Sequence, residues 1–109
     1  MRYLMFDVHG QKLTKDPACD FEGLVRGSKQ YLTLSATFDA EWQGFTRVAL
    51  FNEQYAVALS TTNSCNVPDE VTDGDSIHVR IVGVSGERRI RTNCVVLAQI
   101  GRASCRERV

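Results

Sequence analysis

Few residues of this chain could do catalytic chemistry. Its histidines are His9 and His78; the first stands in a turn candidate and the second on the strand face opposite Ile77 and Val79, so we expect both to be exposed. The segment Gly83-Val84-Ser85-Gly86 lacks the five-residue form of a nucleophile elbow. Triads are assembled in space, so spacing leaves a Ser/His/Asp arrangement open. We nevertheless predict no catalytic residue and no enzymatic activity.

Metal-binding patterns are also weak. The cysteines Cys19, Cys65, Cys94 and Cys105 contain no Cys-x-x-Cys pair, so the zinc spacing is absent. We expect reduced thiols, with Cys65 and Cys94 packed in strands as small hydrophobes. Carboxylates cluster at Asp69, Glu70, Asp73 and Asp75, but without the order of a helical calcium loop. This pattern is typical of a solvated turn, and we predict no metal and no cofactor.

Three residues are candidates for contact with a partner. Arg89 and Arg91 share one face of a predicted strand, and Trp42 follows the clearest strand. The 13 basic and 13 acidic residues balance, so the arginines fit residues that keep the sheet soluble, or that contact a protein, better than a nucleic-acid site. Trp42 has two interpretations, a plug over the end of the core or an exposed binding anchor, and its aromatic neighbours favour the plug.

Positions of apolar residues alternate with a period of two, which predicts strands along almost the whole chain. The 109 residues are enough for one domain, and no run approaches the ~20 apolar residues of a membrane span. We therefore predict an all-β fold, an antiparallel β-sandwich of seven or eight short strands with an immunoglobulin-like or jelly-roll-like order. The predicted strands are 3–8, 11–14, 31–38, 46–51, 54–59, 65–67, 76–84 and 88–99, with a few residues of edge strand around 21–25 in a loop over 15–28. The predicted core includes Leu32, Leu34, Phe38, Val48, Leu50, Val57, Ile77, Val79 and Ile81.

Local signals refine three connections between these strands. Asp39 can cap a single helical turn that Gly44 ends. The dipeptide Asn52-Glu53 predicts a two-residue hairpin connection. A change of phase between Ile90 and Val95 indicates an irregularity, such as a bulge, near residues 92–93.

The last nine residues break with this pattern. Residues 101–109 carry three arginines and no apolar alternation, and they resemble a translated sequencing-adaptor read-through at the end of a metagenomic reading frame. We expect a domain over 1–100 and a tail over 101–109 that is non-native or disordered. A native, frayed basic terminus is the alternative.

An ordered set of short motifs resembles a known family. It comprises Phe38-Asp39-x-x-Trp42-x-Gly44, Arg47 to Phe51, Cys65-Asn66-Val67-Pro68-Asp69-Glu70-Val71, Val79 to Gly83, and Arg91-Thr92-Asn93. This set is similar to the N-terminal domain of the baseplate upper protein, or of a related tail-fibre attachment protein, in tailed bacteriophages and prophages of Gram-positive hosts. The resemblance covers about residues 3–99.

The resemblance implies an architectural role. Trp42 and Gly44 would shape a strand connection, and Pro68, Glu70 and Val71 would close a turn before the next strand. It implies a non-enzymatic virion protein of the tail or baseplate, made in the host cytoplasm, that docks to other tail proteins and presents a fibre or receptor-binding element. It also implies a homo-oligomer formed through a missing C-terminal segment. The alternatives are a small carbohydrate-binding or adhesin-like module and, less favoured, an inhibitor of a host protein.

Overall fold

The computed structural model describes residues 2–100 and contains nine strands and two short 3-10 helices in that range. The prediction of a tail over 101–109 lies outside the described residues. The two helices span Ala40–Trp42 and Asp69–Asp73, and neither is long or apolar enough to cross a bilayer. The strands are β1 (Arg2–His9), β2 (Lys12–Lys15), β3 (Leu32–Phe38), β4 (Thr46–Phe51), β5 (Tyr55–Ala58), β6 (Ser64–Asn66), β7 (Ser76–Ser85), β8 (Arg88–Arg91) and β9 (Val95–Ala98).

These strands form two sheets that pack face to face. One has the order β2-β1-β3-β6, and the other has the order β5-β4-β7, with β8 and β9 sharing the far edge of β7. The prediction of an all-β sandwich is confirmed. All pairs are antiparallel except β1 with β3. A parallel pair needs a long crossover, which β2 and the loop of residues 16–31 supply.

Alternating side chains of both sheets fill the space between them. Leu34 of the first sheet and Ile77, Val79 and Ile81 of the second are fully buried, as their shared phase predicts. Leu32 is also buried, whereas Phe38 and Val57 are partly buried and pack against this core. The core is therefore a layer of branched aliphatic and aromatic residues from both sheets.

The predicted phase of β4 is wrong. Ala49 and Phe51 are fully buried, whereas Val48 and Leu50 are only partly buried and point away from the core. Register explains the difference, because Ala49 pairs with Ile81 of β7, and paired residues of an antiparallel ladder share a face. In a strand with apolar residues on both faces, the pairing with the neighbouring strand decides which side chains point into the core.

Two further predicted strands differ from the structure. Residues 21–25 form no strand; Val25 makes a single bridge to Ile100, while Leu24 reaches into the core at 2% exposure. The long strand predicted over 88–99 divides into β8 and β9, since Thr92 turns inward at 5% exposure and donates its backbone N–H to Ile81 O at 3.0 Å. The predicted irregularity is therefore confirmed as a break in the strand.

The β4–β5 hairpin is one residue longer than predicted. Three residues separate the paired Phe51 and Tyr55. Asn52 and Glu53 have φ values of 54° and 55°, the left-handed conformation that tight hairpin turns demand.

Candidate interaction surface

The connection from β3 to β4 carries the chain from one sheet to the other at the end where β1 also finishes. Asp39 caps its helical turn by accepting a hydrogen bond from the Glu41 N–H at 3.1 Å, and its second carboxylate oxygen accepts from the Gly10 N–H at 2.7 Å. Gly44 has a φ of +84°, where a side chain would be strained. The predicted cap and the glycine at its end are both present.

Trp42 is a core plug in this connection, and the interpretation of it as an exposed anchor is wrong. Its side chain is completely buried, its ring packs against Phe38 at a centroid distance of 5.1 Å, and its Nε1–H donates to the Gly10 carbonyl at 2.8 Å. The Arg47 guanidinium lies 4.5 Å from the Phe38 ring and donates to the Trp42 carbonyl at 2.8 Å. No face of the indole is left for a partner.

Trp42 lies directly against the backbone of β7. A Cβ atom built on Gly83 would stand 2.7 Å from Cζ3 of Trp42 and 2.8 Å from Cγ2 of Ile90. Real Cβ atoms essentially never come this close to other atoms. The close packing of Trp42 on β7 therefore requires glycine at position 83.

The connection from β6 to β7 crosses between the sheets at the opposite end, where β1 and β3 begin. Pro68 precedes the helix, and its carbonyl accepts from the Val71 N–H at 3.0 Å. Val71 is fully buried, whereas Glu70 is exposed. The next residue, Thr72, is 2% exposed and donates its hydroxyl to the Ser28 carbonyl at 2.7 Å.

Acidic residues of this connection form hydrogen bonds and ion pairs with the loop of residues 16–31. Asp69 Oδ1 accepts from the Gln30 N–H at 2.8 Å, Asp75 pairs with Arg26 at 3.0 Å, and Asp73 pairs with Lys29 at 3.7 Å. Within residues 2–100, no three His, Cys, Asp or Glu side chains gather in a way that could hold a metal ion. Their observed partners are loop backbone and basic side chains.

Three free thiols are present in the described part of the chain. Cys65 lies in β6 opposite Leu34, and desolvation by burial raises its pKa from 9.0 to about 11. Cys94 precedes β9 instead of lying in a strand, and its Sγ is 3.9 Å from Nδ1 of His78. Nothing in the sequence around either residue indicates this contact, because strand pairing alone brings them together. His9, the other histidine, is exposed at the end of β1.

Arg89 and Arg91 project from the outer face of the five-stranded sheet, as their alternation predicts. Both are exposed, and neither side chain forms a hydrogen bond or ion pair with residues 2–100. Register sets Arg89 beside Val84 and Arg91 beside Val82. This combination of free arginines and partly exposed valines makes the outer face the candidate interaction surface.

The other sheet displays two tyrosines. Tyr3 is 56% exposed and Tyr31 is 47% exposed. Tyr3 pairs in register with Thr33, two residues after Tyr31, so both tyrosines belong to the same end of this sheet. Tyr3 lies in β1 and Tyr31 directly precedes β3, whereas Arg89 and Arg91 lie in the five-stranded sheet.

Comparison with protein-family models, with curated proteins and with solved structures finds no match for this chain. Its function must therefore be inferred from its residues and its fold.

Proposed function

We propose that this chain is a non-enzymatic structural protein of a bacteriophage tail or baseplate, an adaptor domain that docks to the tail and presents a fibre or receptor-binding element. The observation that supports this proposal is where the family-like motifs lie. Trp42 and Gly44 lie in one of the connections between the sheets, from β3 to β4, and Pro68, Glu70 and Val71 lie in another, from β6 to β7. The most distinctive residues of the sequence thus serve to join two sheets.

A rigid sandwich of this kind suits an adaptor. Its inner faces cover each other, and each outer face exposes side chains, such as Tyr3 of one sheet and Val96 of the other. Short connections that are fixed by buried side chains limit internal motion, which keeps the relative positions of two docked partners constant. The partners in this proposal are other tail and baseplate proteins, and the location is the virion.

Particle composition tests this proposal. Tailed particles purified from the source of the sequence are digested and analysed by mass spectrometry, and the genes beside the reading frame are sequenced. We expect peptides from residues 2–100 in the particle fraction and neighbouring genes for tail proteins. Absence of these peptides from intact particles that contain the other tail proteins would refute the proposal.

A carbohydrate-binding or adhesin-like module is the second candidate, and the exposed tyrosines favour it. Tyr3 and Tyr31 offer aromatic rings at one end of the four-stranded sheet, and sugars stack on such rings. Trp42 is buried and takes no part. A glycan array with the wild-type chain and with Tyr3→Ala/Tyr31→Ala tests this function, which requires a glycan signal that the double variant loses.

A further inference from the structure

The outer face of the five-stranded sheet is made of aligned rows of side chains. One row places Ala58, Val48, Val82 and Arg91 side by side across four strands, and the next places Thr46, Val84 and Arg89 together. A third row joins Leu50 to Arg80. Val84 is 38% exposed, and Val96 on the same face is 51% exposed. The face thus has a centre of aliphatic side chains and an arginine border along β8.

The charged residues of the five strands are all arginines. Every carboxylate of the described chain lies outside the five strands of this sheet. Arg80 has a partner, Glu53 at the hairpin tip, at 3.4 Å. Arg89 and Arg91 have no acidic partner among residues 2–100. The acidic and basic residues of the chain balance overall. The two arginines nevertheless give this face a positively charged border beside exposed valines.

We propose that this outer face docks a partner protein that presents aliphatic side chains flanked by carboxylates. Aliphatic contact removes Val82 and Val84 from water, and carboxylates of the partner pair with the two free guanidinium groups, which suit bidentate contact. The face carries no Phe, Tyr or Trp, whereas single-stranded nucleic acid requires aromatic platforms for its bases. The chemistry of the face therefore favours protein.

This inference deepens the proposed function and rests on it in one respect, that the partner is a tail protein. The chemistry of the partner is argued from the face alone. The two proposals can therefore fail separately: particle composition decides the function, and binding of a synthetic probe decides the face.

The probe is a short soluble peptide in which glutamate alternates with valine. It is titrated into the isotope-labelled full chain while backbone amide shifts are followed by NMR. We expect saturable shifts in β7 and β8, centred on Val82, Val84, Arg89 and Arg91. Arg89→Glu/Arg91→Glu should weaken binding by at least about tenfold, since two opposite-charge contacts become repulsive.

Lys12→Glu/Lys15→Glu is the matched control, because it makes the same change in net charge on β2 of the other sheet and should leave the affinity unchanged. A peptide with lysine in place of glutamate, and one with serine in place of valine, should both bind at least tenfold more weakly. The inference is overturned if the lysine peptide binds equally well, if the shifts lie on another face, or if the glutamate-valine peptide does not bind. Tighter binding of a thymidine oligonucleotide or of anionic phospholipid vesicles would also overturn it.

Discussion

The Trp42 ring occupies the space that a side chain at position 83 would need, so it restricts this position to glycine. The indole lies against the β7 backbone, and a methyl group at position 83 would stand 2.7 Å from its Cζ3 atom. We expect Gly83→Ala to lower the free energy of unfolding by about 1–3 kcal/mol, the usual cost of overpacking. Urea denaturation followed by Trp42 fluorescence measures this change.

Gly74→Ala provides the control for that substitution. Its Cβ would have its nearest neighbour, the Ser76 carbonyl oxygen, at 3.7 Å, an ordinary contact, and its φ of −93° suits any residue. We expect a change within about 0.5 kcal/mol. Equal stabilities of the two variants would show that Trp42 does not lie against Gly83 as described.

Cys65 provides a prediction about pH. Burial raises the pKa of its thiol from 9.0 to about 11, so the folded chain keeps this proton over a pH range in which the unfolded chain releases it. The thiol therefore leaves stability unchanged near pH 7 and lowers it as the pH rises from about 9 towards 11. At pH 8, the native thiolate fraction is roughly 100-fold below that of the unfolded chain.

Alkylation by iodoacetamide measures this difference. In a variant with Cys19, Cys94 and Cys105 changed to Ser, Cys65 should react at least tens of times more slowly at pH 8 in the native chain than in urea. Similar rates in both states, with the variant shown to be folded, would contradict the burial of this thiol.

Some residue-scale features could be predicted from the sequence and others could not. Asp39 as a cap and Gly44 as the end of the turn follow from local chemistry, so both were predictable. The choice between plug and anchor for Trp42 depends on Gly10 and Phe38, which reach it through folding. Sequence alone favoured the plug only through the neighbouring phenylalanines. The contact between Cys94 and His78 depends wholly on strand pairing.

At the scale of elements, β4 shows the limit of periodicity. Arg47 to Phe51 contains apolar residues in both phases, so hydrophobicity does not choose a face, whereas pairing of Phe51 with Val79 does. We expect Phe51→Ala to cost about 3–5 kcal/mol, because it opens a cavity in the core. Leu50→Ala should cost well under half as much, since Leu50 is only partly buried. Chemical denaturation of both variants measures these losses in the free energy of unfolding. A larger loss for Leu50→Ala than for Phe51→Ala would show that Leu50, and not Phe51, faces the core.

Asn93, in the break between β8 and β9, links the two sheets along one edge. Asn93 accepts from the Leu13 N–H at 2.7 Å and donates to the Leu13 carbonyl at 3.2 Å, so its side-chain amide takes the place of a strand beside β2. We expect Asn93→Ala to cost about 1–3 kcal/mol, because two partly buried backbone groups lose their partner. The Leu13 amide should also lose protection from hydrogen exchange.

Gln54→Ala is the matched control for Asn93, since it removes an exposed amide with no hydrogen bond from its side chain to residues 2–100. It should leave both stability and exchange at Leu13 unchanged. Unaltered protection of Leu13 in Asn93→Ala would show that this link does not hold β2 in place. The position of the break could be predicted from the change of phase, but its partner, 80 residues away along the chain, could not.

At the scale of the whole molecule, the fold class follows from the alternation, whereas the arrangement of the sheets depends on long-range contacts. The loop of residues 16–31 lacks any repeating pattern, yet Leu24 enters the core and Arg26 pairs with Asp75. Arg89 and Arg91 share a face by alternation, as the sequence predicts, and the local β7–β8 hairpin sets them beside Val84 and Val82. Thr46 and Val48 join this face through the pairing of β4 with β7, which no single sequence window contains.

We propose that this outer face docks the partner, and we expect the tyrosine end of the other sheet to have no role in assembly. The most direct test is incorporation into tailed particles when the chain is supplied in trans as wild type, as Arg89→Glu/Arg91→Glu, or as Tyr3→Ala/Tyr31→Ala, each verified as folded. Particles are purified by density gradient, and the chain is quantified by mass spectrometry. We predict wild-type amounts for the tyrosine variant and at least a tenfold loss for the charge-reversed variant. Incorporation of the charge-reversed variant at the wild-type level would contradict the account.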